Sequence, residues 1–160
     1  MAPQRVLFLC THNSARSQMA ESLLRHLGGD RFEAHSAGTE ATQVRPLAIT
    51  AMSELGVDIS TQASKTLDPY VDQRFDHVIT VCDDANETCP YFPNATHRSH
   101  WSLPDPSKAT GTEAEQLAVY RQVRDDLRGR IESELLAAEG RYAAAVVVDA
   151  IASGDLPAYM

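Results

Sequence analysis

The sequence predicts an α/β fold in three layers (α/β/α) around a mostly parallel central sheet. Two apolar runs, residues 6–9 and 77–81, are short and bounded by polar residues, which is the pattern of buried strands. Other stretches carry apolar residues at three- and four-residue steps, the pattern of helices with one buried side. Strand and helix patterns alternate along 160 residues, a length that suits one core.

The elements follow in order. Val-Leu-Phe-Leu at 6–9 is the first strand. Met19, Ala20, Leu23, Leu24 and Leu27 define a helix over 17–27, ended by Gly28 and Gly29. Residues 32–37 form a second, partly polar strand. Pro46 opens a helix that buries Leu47, Ile49, Met52 and Leu55, and Gly56 closes it. Residues 60–75 are polar and without period, with at most one short helix near Pro69. The run 77–81 is a central strand, and a short edge strand falls around 97–100. Residues 83–89 read as a short helix or a loop, stopped by Pro90. Thr-Glu-Ala-Glu at 112–115 is a helix start with acidic residues in the first turn. Leu117, Tyr120, Val123, Leu127, Ile131, Leu135 and Leu136 continue it as one long amphipathic helix, ended by Gly140. Residues 1–140 make a single catalytic domain, and 141–160 an Ala/Val-rich extension to which no role is assigned.

The turn between the first strand and first helix holds Cys10, Thr11, His12, Asn13, Ser14, Ala15, Arg16 and Ser17. A helix N-terminus leaves its first N–H groups unpaired, so loop and helix together suit an anion. A cysteine there meets the positive end of the helix dipole, which favours its thiolate. The Arg16 guanidinium is a planar fork matched to a tetrahedral oxyanion. In parallel sheets ligands bind beyond the C-terminal strand ends. That places the Cys10 loop, Cys82 and the Pro104-Asp105-Pro106 loop at one end of the molecule. Asp105 is the candidate general acid for a leaving oxygen.

Cys82 directly follows a strand, and Cys89 lies seven residues later beside Pro90. On a helix their Cα atoms would stand roughly 10 Å apart. A disulfide needs less than about 7 Å, so a bond between them implies a conformational switch. The small polar residues between them suit unwinding. An odd total of three cysteines argues against a structural disulfide framework.

The net charge of −8 argues against nucleic-acid binding and leaves anion specificity to local donors. No apolar stretch is long enough to cross a bilayer, and residues 1–5 leave no room for a leader, so the cytoplasm is expected. The six histidines have no metal-ligand spacing, and no metal site is expected. A monomer with no bound cofactor is the expected state.

Val-Leu-Phe-Leu-Cys-Thr-His-Asn-Ser-Ala-Arg-Ser-Gln-Met-Ala-Glu at 6–21 resembles the opening of thioredoxin-coupled arsenate reductases. Those enzymes share the low-molecular-weight tyrosine phosphatase fold. Val-Ile-Thr-Val-Cys-Asp-Asp at 78–84, Cys89-Pro90, His100-Trp101 and Asp105-Pro106 match in order and spacing, so the resemblance covers residues 4–138. It implies arsenate as substrate, with Cys10 as nucleophile, Arg16 and the 11–17 loop holding its oxygens, and Asp105 protonating the departing oxygen. It further implies a Cys10–Cys82 disulfide that passes to Cys82–Cys89, with reduced thioredoxin as electron donor. By the same resemblance Ser17 hydrogen-bonds the Cys10 sulfur and Asn13 shapes the loop. Some relatives carry a further cysteine where this chain has Ala15, and some bind potassium near Asn13 and Glu21. Here Ala63 and Lys65 stand in that region, and the Lys65 ammonium replaces the ion's charge, so potassium dependence is not expected.

Three other readings share the loop. A low-molecular-weight phosphatase would hydrolyse phosphomonoesters through Cys10, Arg16 and Asp105, and would need neither Cys82 nor Cys89. Ser107 stands where such phosphatases tend to have an aromatic residue after Asp-Pro. A reductase resolved by glutathione or mycothiol leaves Cys89 without a role. A non-catalytic oxyanion sensor predicts binding without arsenite release.

Overall fold

The structure is a computed structural model that describes residues 2–83 and 90–137. Four strands form one sheet: β1 (Gln4–Cys10), β2 (Phe32–Gly38), β3 (Phe75–Thr80) and β4 (Ala95–His100). Their spatial order is β2-β1-β3-β4, and every adjacent pair is parallel. The predicted parallel α/β architecture holds, with 77–81 central and 97–100 at an edge. β3 begins two residues earlier than its apolar run, at Phe75, whose N–H donates to the Asn94 carbonyl.

Three α-helices accompany the sheet among the described residues: α1 (Arg16–Gly28), α2 (Pro46–Ser53) and α3 (Glu113–Arg130). Alternation along β1 divides the core. Val6, Phe8 and Cys10 face α1, α2 and α3 through Met19, Leu23, Met52, Val123 and Leu127. Leu7 and Leu9 face the other way, onto Tyr70, Phe75, Val78 and Phe92. On that second face the cover among the described residues comes from the single helical turn Asp68–Tyr70 and the segment around Phe92. The turn near Pro69 is therefore where the sequence expects one.

The last helix departs from its expected form. A capping box closes its start: Thr112 Oγ1 accepts from Glu115 N, and Glu115 accepts from Thr112 N. After Arg130, however, residues Ile131–Leu136 wind as a π-helix. The wider turn brings Ile131, Leu135 and Leu136 all onto the core, and lets Glu134 accept from Trp101 Nε1 at 3.1 Å. The expected helix end at Gly140, the 83–89 segment beyond Asp83, and the 141–160 extension lie outside the described residues.

α2 is tied to α3 by charge. Glu54 accepts from Arg121 Nη2 at 2.6 Å and from Arg124 Nη1 at 2.8 Å. Hydrogen bonds from Arg121 and then Arg124 lower its carboxyl from 4.5 to about 2. The folded value lies below the unfolded one, so this link stabilises above the ordinary carboxylate range and is lost as pH falls through it. Denaturant titrations of the wild type and Glu54→Gln are expected to differ by a constant gap above about pH 5.5 that closes toward about pH 2. A gap that persists unchanged to low pH would exclude this role for the carboxylate.

Candidate active site

Cys10 ends β1, and the chain turns through Thr11–Ala15 into α1. α1 has no side-chain cap at Ala15 and no acidic residue in its first turn, and Arg16, Ser17 and Gln18 are buried. α3, by contrast, satisfies its first amides with its own side chains. A buried, uncapped helix start is open to an anion. Residue 15 is alanine, which has no side-chain acceptor and leaves the helix, starting at Arg16 rather than Ser17, without a cap.

The loop's carbonyls are all turned away from its interior. Thr11 O accepts from Glu40 N at 3.0 Å and from Thr39 Oγ1 at 3.1 Å. His12 O accepts from Ser64 Oγ at 2.9 Å and Thr42 Oγ1 at 3.3 Å. Asn13 O accepts from Gln18 Nε2 at 3.1 Å, and Ser14 O from Arg45 N at 2.9 Å. In a trans peptide the carbonyl and the next N–H point in opposite directions. Four carbonyls held from outside therefore direct the N–H groups of His12, Asn13, Ser14 and Ala15 the other way, into one concavity. Asn13, at φ 48°, is the loop's left-handed residue. Gly38 lies against this turn, where an added Cβ would stand 2.6 Å from Thr11 O and 2.9 Å from Asn13 N. A side chain at 38 would push the loop out of shape.

A directed hydrogen-bond chain ends on the sulfur. Lys65 N donates to Asn13 Oδ1 at 2.8 Å, which fixes the orientation of that amide. Asn13 Nδ2 then donates to Ser17 Oγ at 2.7 Å. The Ser17 hydroxyl proton is left for Cys10 Sγ, 2.7 Å away. Asn13 and Ser17 are both wholly buried, so water does not compete for these bonds. The His12 side chain points outward to Glu40, 3.3 Å away, and contributes only backbone to the loop.

Arg16 and Asp105 meet at the mouth. Arg16 Nη1 donates to Leu103 O at 3.1 Å, and Nη2 lies 3.8 Å from Asp105 Oδ2. Ser107 donates to Asp105 Oδ1 twice, from its N at 2.9 Å and its Oγ at 2.7 Å. With Oδ1 occupied, Oδ2 is the oxygen presented to Arg16 and the loop. Tyr120 packs in the same helix-side core, where burial raises its phenol, Arg45 lowers it and Asp105 raises it further.

Cys82 follows β3 at the same end of the sheet. Leu9 pairs with Thr80, Val81 N donates to Leu9 O at 2.8 Å, and Cys82 Sγ lies 4.0 Å from that oxygen. Leu103 N donates to Cys82 O at 3.3 Å, joining the Asp105 segment to the same strand end. Cys10, Arg16, Cys82 and Asp105 are thus gathered as the sequence expects. Cys89 lies outside the described residues. Glu21 is buried, with Arg25 Nη1 at 2.6 Å, Ser36 Oγ donating at 2.8 Å and the Lys65 ammonium at 3.6 Å. Among the described residues no group of three or more His, Cys, Asp or Glu gathers to hold a metal ion. Nor, among them, is any helix long and apolar enough to cross a membrane.

Ser64, Thr42, Gln18 and Lys65 join the site, although nothing in the sequence alone gives the first three a part in it. A hydroxyl in a polar, aperiodic stretch carries no signal until its partner is known. The local dipeptide Ser64-Lys65 gains meaning only from the loop it touches.

The profile of the low molecular weight phosphotyrosine protein phosphatase family matches residues 5–141. An arsenate reductase of Halalkalibacterium halodurans is 47% identical over 128 residues, covering 80% of this chain and 92% of the relative. A solved arsenate reductase in a phosphate-binding state superposes with a TM-score of 0.70 at 34% identity, covering 81% of this chain and 95% of that one. A thioredoxin-dependent arsenate reductase of Corynebacterium glutamicum gives a TM-score of 0.60 at 32% identity, covering 82% of this chain and 61% of that one.

Proposed function

Because the chain belongs to the low molecular weight phosphotyrosine protein phosphatase family, with its nucleophile loop and sheet, we propose that it reduces arsenate to arsenite. The observation that carries this beyond phosphate-ester hydrolysis is a second thiol, Cys82, at the end of β3, its sulfur 4.0 Å from the carbonyl of Leu9, the residue before Cys10. Hydrolysis has no use for it. The relatives named as arsenate reductases support the same reading, and the Corynebacterium glutamicum relative supports thioredoxin as donor.

Arsenate sits in the concavity, its oxygens on the inward N–H groups of the 11–17 loop and on Arg16. Cys10 Sγ, steadied by the Ser17 hydroxyl, attacks arsenic. An S–As bond forms, and one oxygen leaves as water with a proton from Asp105. Cys82 then attacks Cys10 Sγ. The S–S bond forms, the S–As electron pair stays on arsenic, and arsenic(V) becomes arsenic(III), released as arsenite. Cys89 attacks Cys82 Sγ, which frees Cys10 and leaves Cys82–Cys89. Reduced thioredoxin supplies two electrons and two protons and restores both thiols. The reaction is assigned to residues 1–140 of a cytoplasmic monomer, and nothing is carried onto 141–160.

Sustained turnover of arsenate with thioredoxin, its reductase and NADPH tests this reading. Wild type is expected to oxidise NADPH continuously, and Cys89→Ser is expected to stop after its first cycle. Full multiple turnover by Cys89→Ser would sink the relay. Consumption of a phosphomonoester with no arsenite release would favour the phosphatase.

A further inference from the structure

We propose that Ser64, seconded by Thr42, is a positioning residue for the oxyanion: its hydroxyl holds the His12 carbonyl outward and so aims the Asn13 N–H into the loop. The inference rests on the loop's reading as an oxyanion site and deepens it.

The donor direction is fixed. Thr42 N donates to Ser64 Oγ at 2.8 Å, and a backbone N–H cannot accept. The single Ser64 proton is therefore available to His12 O, at 2.9 Å. Ser64 thus ties together three separate stretches: the 10–17 loop, the segment before α2, and residues 60–66. Thr42 Oγ1 adds a longer bond to the same carbonyl, at 3.3 Å.

His12 O differs from Thr11 O and Ser14 O in how it is held. Thr11 O and Ser14 O each accept a backbone N–H, from Glu40 and Arg45, which any side chain at those positions would supply. The described donors to His12 O are two side-chain hydroxyls. The following residue, Asn13, is also the one with positive φ, where a non-glycine residue needs outside support. Ser64 and Lys65 grip it from two sides. Ser64 holds the peptide before it, and Lys65 N holds its side-chain amide at 2.8 Å. Without the Ser64 hydroxyl, the 12–13 peptide keeps one long bond and is free to rotate its N–H away from the anion.

The test uses the full chain and inorganic phosphate as probe, read by protection of Cys10 from iodoacetamide. Ser64→Ala is expected to raise the phosphate concentration for half protection about tenfold. Ser64→Thr, which keeps the hydroxyl, stays within about threefold of wild type, and Thr42→Val gives a smaller loss in the same direction. In turnover the Ser64→Ala loss falls on KM for arsenate more than on kcat, because the N–H contact is made with the bound anion before reaction. A merely structural serine would move thermal stability without this selective loss, and threonine would not restore it. Unchanged phosphate protection in Ser64→Ala, or failure of Ser64→Thr to recover it, overturns the proposal. Wild type protected by phosphate yet forming no arsenite removes the reductase reading alone and supports the positioning of the loop. Wild type that phosphate does not protect overturns both.

Discussion

Replacing Cys10 by serine is expected to lower kcat/KM for arsenate by about four orders of magnitude or more, to the limit of detection. The sulfur is the only described group in the concavity able to form the bond to arsenic and then surrender it as a disulfide. A serine oxygen in its place is a poor nucleophile and cannot enter thiol exchange. The loop itself should survive. Its carbonyls are held from Glu40, Thr42, Ser64, Gln18 and Arg45, none of which depends on the sulfur. Phosphate binding by Cys10→Ser, measured by calorimetry, is therefore expected within about threefold of wild type. Loss of phosphate binding together with activity would mean that the sulfur shapes the loop, and measurable arsenite formation would remove Cys10 as nucleophile.

Cys82→Ser should separate reduction from hydrolysis. The variant keeps Cys10, Arg16, Asp105 and the loop, so it can still form a Cys10–arsenic adduct. It has no thiol beside Leu9 to attack that adduct, and arsenite release is expected to fall at least about a thousandfold. Any phosphomonoester hydrolysis that wild type possesses should persist, because that chemistry uses Cys10, Arg16 and Asp105 alone. Serine is slightly smaller than cysteine, and the wholly buried site should accept it with a modest stability loss, checked by thermal unfolding. Arsenite release at the wild-type rate would show that another reductant resolves Cys10 directly.

Much of this site was legible in the sequence because its parts are local. A buried strand, a small polar loop with Cys10 and Arg16, and an apolar helix lie within some twenty residues. The parallel sheet then brings Cys82 and Asp105 to the same end by topology alone. What was not legible depends on contacts across the chain. Ser64 and Thr42 look like ordinary polar loop residues, and their partner is a carbonyl more than 25 residues away. In the sequence Gly38 reads as the start of a loop, yet its missing side chain is what lets the 10–17 loop approach. Ser107 marks a departure from the phosphatase pattern in sequence, but its two bonds to Asp105 Oδ1 appear only in three dimensions. The π-helical turn at Ile131–Leu136 shares its apolar spacing with an ordinary helix and gives no separate signal.

If arsenic takes its two electrons from protein thiols, the oxidising equivalent leaves the reaction centre as a transferable disulfide. Wild-type chain, fully reduced and freed of reductant, should be given one equivalent of arsenate, quenched with acid, alkylated and mapped by peptide mass spectrometry. A Cys82–Cys89 disulfide is expected in proportion to the arsenite formed, with Cys10 recovered as an alkylated thiol. Arsenite formed while Cys82 and Cys89 are both recovered as alkylated thiols would contradict it.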